Sequence, residues 1–158
     1  PVIGLNRNGL PEITRQGRAI VVELKRFAAR RLPGVRLHKN LGRHLYHGVL
    51  AYIARVSGGA CVGNSSSGIK ETPAFRCPAI NIGSRQDGRL RARNVIDAPY
   101  DSGRIVRAFE RCLKDRAFLK VCRTCRNPYG TGDAGPKIAE TLARVPLDGR
   151  LIRKAMTI

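Results

Sequence analysis

Apolar positions recur along this chain in two rhythms. Ile20, Leu24, Phe27 and Ala28 stand three and four residues apart, so residues 14–31 are predicted to form an amphipathic helix that stops before Pro33-Gly34. A second helix is expected over 43–55, ended by a Ser57-Gly58-Gly59 turn. A third is capped by Asp101 or Ser102 and carries Ile105, Phe109, Cys112 and Leu113 on one face. Helical patterns continue over 117–125, 133–144 and 147–154. The other rhythm is the short continuous apolar run of a buried strand, at 35–38, 60–63, 78–82 and from Asn94 onward. Between the second and third of these, residues 68–75 leave room for only two helical turns. Short apolar strands alternating with helices predict an α/β fold: a Rossmann-like parallel sheet with helices on both faces. The 158 residues make one domain, without a repeat, a low-complexity stretch or a clear linker.

Composition narrows the classes. Apolar residues make up 42% of the chain, yet no run approaches the ~18 that a membrane helix needs. The N-terminus shows no basic-apolar-small secretory pattern, and it opens at Pro1 without an initiator Met, as a fragment would. Cys61, Cys77, Cys112, Cys122 and Cys125 are an odd set, partly in apolar surroundings, which suits free thiols in the cytoplasm. The formal charge of +19 calls for acidic partners such as phosphates, nucleic acid or an acidic protein surface. The basic residues are spread over both ends of the chain on helices that alternate charge with apolar positions, as solvated helix faces do. Four Tyr, four Phe, no Trp and no zinc-finger spacing argue against nucleic acid as the partner.

The chemistry is concentrated in residues 61–97, which read as strand, small-residue polar turn, short helix, strand and basic loop. Open α/β sheets bind ligands at the carboxyl ends of their strands, where both loops fall. Asn64-Ser65-Ser66-Ser67-Gly68 offers hydroxyls, backbone N–H groups and the positive end of a helix dipole, a set suited to phosphate. Glu71, four residues beyond Ser67, stands one turn along the same face. A carboxylate there repels phosphate but accepts the two hydroxyls of a ribose. Arg85, after the next strand, has the planar donor fork that suits phosphate or sugar. The alternative is a serine-capped helix with Glu71 and Arg85 in solvent.

The run VGNSSSGIKE, then NIGSRQ-x-GR and NVID, then Asn127-Pro128-Tyr129-Gly130-x-Gly132-x-Ala134, resembles the signature of the hydrolysing UDP-N-acetylglucosamine 2-epimerases of sialic-acid-type pathways. The resemblance runs from about Lys39 to the C-terminus. It implies the C-terminal half of a GT-B-type two-domain enzyme, in which two Rossmann-like domains face each other across a UDP-sugar cleft. It implies that Ser65 and Ser66, within the turn completed by Ser67 and Gly68, hold the UDP diphosphate, and that Glu71 holds the ribose. It further implies that Arg85 contacts the substrate, that Lys39 and Asn40 line the uracil end, and that residues 127–130 form a turn into the last helices. The partners implied are UDP-N-acetylglucosamine or UDP and an N-terminal epimerase domain, which would carry the catalytic residues; a homo-oligomer is compatible with this reading. No cofactor and no metal are implied. The sequence departs from the family at residues 1–17, where the PN-x-D-x-G turn is missing, in a longer interval between Lys39 and Asn64, and at Arg76, where a Gly usually follows Phe75.

Other motifs carry less. Cys122-x-x-Cys125 lacks a second ligand pair for a structural zinc site and lies near a basic helix end, unlike a redox CxxC. His44 and His47 share a predicted helix face with no carboxylate nearby in sequence. Two rival functions stand beside the epimerase half: a basic binding module for nucleic acid or an acidic partner, and the sugar-nucleotide half of a GT-B glycosyltransferase.

Overall fold

A computed structural model describes residues 2–4, 15–38, 40–56 and 58–149. The chain divides into two compact units, Pro1–Val56 and Ser57–Ile158, at the turn after the second helix.

In the first unit β1 (Val2–Gly4) pairs in parallel with β2 (Arg36–His38), in the register Val2 to Arg36, Ile3 to Leu37 and Gly4 to His38. The sequence pattern does not announce β1. Between the two strands runs α1 (Arg15–Ala29), where Leu24 and Phe27 are half-buried and Ala28 is exposed. The helix predicted from residue 14 therefore forms, although Thr14 and the family-divergent stretch 5–14 lie outside the described residues. After β2 comes α2 (Gly42–Val56), with Leu50 buried. Asn40 opens this helix, since its Oδ1 accepts the Gly42 N–H at 2.7 Å.

The second unit is built on a three-stranded parallel sheet, β3 (Cys61–Gly63), β4 (Ala79–Ile82) and β5 (Val95–Ala98), with β4 central. Two single-turn helices, α3 (Ser67–Lys70) and α4 (Thr72–Phe75), cross from β3 to β4, as the short interval between the strands predicted. A helix-free loop, 83–94, joins β4 to β5. Strand side chains alternate across the sheet, so Ile80, Ile82, Ile96 and Ala98 share one face. That face packs on Ala108 and Cys112 of α5 (Ser102–Lys114) and on Phe118 and Cys122 of α6 (Arg116–Thr124). Burying such side chains contributes about 1.5–3 kcal/mol for each large one. Helices laid on a parallel sheet give this unit its Rossmann-like character.

Asp101, of the two candidates, caps α5: its Oδ1 accepts the Arg104 N–H at 2.7 Å. Asp115 ends α5 and caps α6. The Phe118 N–H donates to its Oδ1 at 3.0 Å and holds the carboxyl below its ordinary range. The buried face of α5 is rotated from the predicted one. Ala108 and Cys112 are buried and Ile105 packs beside them, while Phe109 is 38% exposed. Phe118 and Cys122 of α6 share the same cluster as Ala108 and Cys112. A further helix, α7 (Ala134–Arg144), leaves Ile138 and Leu142 exposed. The helix expected over about 147–154 begins at Gly149, after non-helical Leu147 and Asp148, and residues from 150 lie outside the described residues. No helix among the described residues is long and apolar enough to cross a membrane.

Candidate functional site

β3 delivers the polar turn 64–67 at its carboxyl end, and β4 delivers Gly83-Ser84-Arg85-Gln86 beside it, because neighbouring parallel strands end on the same edge. Ser65 and Ser66 precede α3, Ser67 begins it, and the turn closes through Gly68 N–H to Ser65 O at 3.1 Å and Ile69 N–H to Ser66 O at 3.1 Å. The Ser65 Oγ also accepts from Ser67 N–H at 3.4 Å. As the sequence predicts, the helix here is short, so its dipole is that of a single turn. The turn presents hydroxyls and backbone N–H groups at this edge, with Arg85 beside them. Glu71 is where its spacing predicts, one turn on: its N–H donates to Ser67 O at 2.9 Å, and it both ends α3 and opens α4.

The two loops are tied at one atom. Gln86 Nε2 donates to the Asn64 carbonyl at 2.7 Å and Arg85 Nη1 reaches the same oxygen at 3.4 Å. Of the residues singled out from sequence, the fold thus gathers Ser65, Ser66, Ser67, Gly68 and Arg85 at the carboxyl end of β3 and β4, with Glu71 one turn further along α3. Asn40 belongs to the first unit, where it caps α2, and Lys39 lies outside the described residues.

Several supporting residues escaped the sequence reading. Buried Asn94 donates through Nδ2 to Thr72 Oγ1 at 3.0 Å and to the Cys77 carbonyl at 2.6 Å, while Thr72 Oγ1 donates to Gly68 O at 2.6 Å. This relay fixes α4, and with it Glu71, to the start of β5. Asp97 accepts from buried Asn81 at 2.7 Å and from Arg91 Nε at 2.9 Å, while Arg91 Nη1 donates to Arg89 O at 2.7 Å. One of the loop arginines is therefore a brace for the loop itself. Gln86 and Asn94 stand inside the motifs quoted above, and that position is the one signal by which they were accessible.

The turn expected at 127–130 forms. Gly130 N–H donates to Asn127 O at 3.3 Å, Asn127 Nδ2 donates to Lys70 O at 3.2 Å, and Tyr129 Oη donates to Leu90 O at 3.0 Å. Lys70 Nζ stands 5.8 Å from the Tyr129 ring centroid. Arg76 has φ 58° and ψ 27°, the left-handed conformation that the missing Gly would adopt without strain.

The remaining motifs hold no chemistry here. None of the five cysteines is in a disulfide. Burial pushes the Cys77 and Cys122 thiols up to about 12 and Cys112 up to about 11, so the reactive thiolate is suppressed. Cys125 is the residue that ends α6, not one that begins a helix. Among the described residues no group of three or more His, Cys, Asp or Glu is placed to hold a metal.

Residues 11–143 match the model of a family described as UDP-N-acetylglucosamine 2-epimerase. The polysialic acid biosynthesis protein P7 of Escherichia coli is 44% identical over 43% of this chain and 17% of its own length. The GDP/UDP-N,N'-diacetylbacillosamine 2-epimerase (hydrolyzing) of Campylobacter jejuni is 40% identical over 60% of this chain and 23% of its own. The UDP-N,N'-diacetylbacillosamine 2-epimerase (hydrolyzing) of Legionella pneumophila is 32% identical over 77% of this chain and 30% of its own. The chain thus spans less than a third of the length of these relatives.

Proposed function

Because the chain belongs to the UDP-N-acetylglucosamine 2-epimerase family, we propose that it is the UDP-sugar-binding half of a hydrolysing 2-epimerase of the GT-B type. Its ligand is UDP-N-acetylglucosamine or a closely related UDP 2-acetamido sugar. The observation that carries this reading is the meeting of the serine turn and the Arg85 loop at the Asn64 carbonyl, on the carboxyl edge of the sheet.

Ser65 and Ser66 hold the diphosphate within the turn that Ser67 and Gly68 complete, and Glu71 accepts the ribose hydroxyls. In the reaction the base removes the C2 proton as UDP leaves C1, giving a 2-acetamidoglucal. Water then adds across the double bond to give the N-acetylmannosamine configuration and free UDP. The negative charge that develops in this elimination falls on the departing diphosphate, so donors fixed in advance around it lower the barrier. The acid and base that handle the C2 proton come from an N-terminal epimerase domain. Alone, the chain binds the nucleotide without turning it over, and it works in the cytoplasm, where nucleotide sugars are made.

Incubation of the chain with UDP-N-acetylglucosamine tests this directly. Binding of UDP without N-acetylmannosamine formation is the expected result. Clear multiple turnover by the isolated chain would sink the half-enzyme reading, and failure to bind UDP at all would sink the ligand.

A further inference from the structure

Two neighbouring donors of unlike environment converge on one backbone oxygen. Gln86 is 2% exposed and its Nε2 lies 2.7 Å from Asn64 O, a short hydrogen bond. Arg85 is exposed and its Nη1 lies 3.4 Å from the same oxygen, a long bond at the limit of useful geometry. Breaking the first leaves the buried Gln86 amide without a partner, whereas water replaces the second at little cost. A carbonyl oxygen has two lone pairs, so both donors are accommodated together and either can stay when the other leaves.

The orientation of the Gln86 amide follows from its neighbours. Its Oε1 is buried without a partner, and turning the amide over would set that oxygen against the Asn64 carbonyl, acceptor against acceptor. Nε2 is therefore the atom that faces Asn64, and the side chain works as a donor toward the serine turn.

We infer that Gln86 is a positioning residue that holds the Asn64-Ser65 turn in place with or without ligand. Arg85 is parked on the same carbonyl and transfers to the phosphate when the nucleotide arrives. The inference rests on the reading of this turn as the UDP diphosphate site. It divides the work of adjacent residues: Gln86 keeps the backbone N–H groups and hydroxyls of residues 65–67 aimed, so Arg85 can leave without loosening them. Pre-aligned donors bind a diphosphate more tightly because their ordering cost is met during folding.

Nuclear magnetic resonance hydrogen exchange on the wild-type chain, Gln86→Met and Arg85→Ala, with UDP titrated into each, tests the division. In the wild type the Gln86 side-chain amide protons should exchange about tenfold or more slowly than those of an unstructured glutamine, before and after UDP. The Arg85 Nε–H signal should move when UDP binds. Gln86→Met should speed exchange of the backbone amides of residues 65–69 and weaken UDP by about tenfold, on the order of one buried charge-neutral hydrogen bond. Arg85→Ala should weaken UDP yet leave those exchange rates unchanged. Fast exchange of the Gln86 amide in the wild type overturns the proposal, a result that stands even if Gln86→Met does not fold. So does equal loosening of the turn by both variants. Absence of UDP binding to the wild type refutes the ligand reading and with it the transfer of Arg85, while the ligand-free rates decide the anchor separately.

Discussion

The ring of Tyr100 lies against the Cα of Gly83, so close that a β-carbon built on Gly83 would stand 2.0 Å from the ring Cζ. Gly83 follows β4, has φ +73° and donates its N–H to Ala98 O at 2.8 Å. Position 83 therefore excludes a side chain twice, by conformation and by space. Gly83→Ala should destabilise the second unit by about 1–2 kcal/mol, from the left-handed backbone plus displacement of the exposed Tyr100 ring. Urea denaturation of the variant beside Gly83→Ala/Tyr100→Ala separates the two costs, since only the steric part disappears in the double variant. Wild-type stability in Gly83→Ala would show that the loop adapts freely.

Arg76 occupies the opposite case, a bulky residue where glycine fits better. Its φ of 58° costs backbone strain, although its N–H closes the helix end on Pro73 O at 3.1 Å. Arg76→Gly is expected to raise the stability by about 1 kcal/mol, less whatever the more flexible unfolded chain takes back. A denaturant midpoint that falls on this change would mean the Arg76 side chain contributes more than its backbone costs.

Glu71 supplies a test aimed at the sugar of the nucleotide. Glu71→Gln keeps the shape but weakens charged acceptance of two hydroxyls, for an expected loss of roughly 1–3 kcal/mol in UDP binding. Calorimetry with UDP and 2′-deoxy-UDP checks the cause, because the deoxy ligand should lose affinity for wild type and little further for the variant. Equal binding of both ligands by wild type removes Glu71 from the ribose.

The buried thiols predict a dependence on alkali. Each of Cys77, Cys112 and Cys122 keeps its proton in the folded chain well above the ordinary 9.0, to about 12, 11 and 12. The unfolded chain releases these protons first, so it binds fewer than the native state above pH 9, and stability falls as pH rises from 9 toward 12. Below pH 9 both states hold the protons and the contribution is complete. Urea midpoints under reducing conditions at pH 8 and pH 10 measure the drop, and Cys122→Ala should make it shallower. Slow reaction of these three thiols with iodoacetamide at pH 8 in native buffer is the companion observation.

The elements of the second unit were legible because their signals are local. A buried strand is a short apolar run, a surface helix repeats every three to four residues, and Asn64-Ser65-Ser66-Ser67 announces a polar turn simply by following Cys61-Val62-Gly63. Glu71 could be placed one turn from Ser67 by counting alone, and Arg76 stood out because a glycine is the natural end of such a turn. What the chain spelling does not encode is which partner an element meets. Whether Phe109 or Ala108 faces the sheet depends on where Phe118 and Cys122 of the next helix come to rest. Gln86 and Asn94 read as polar loop residues, yet both are buried because acceptors 22 residues away, Asn64 O and Thr72 Oγ1, fold against them. Burial of an amide is decided by a distant hydrogen-bond partner and not by local hydropathy. The sequence determined the strands, the turn and the chemical character of the site. Tertiary structure alone decided that the serine turn and the arginine loop meet at one carbonyl, since adjacency of β3 and β4 is a property of the sheet and not of either strand.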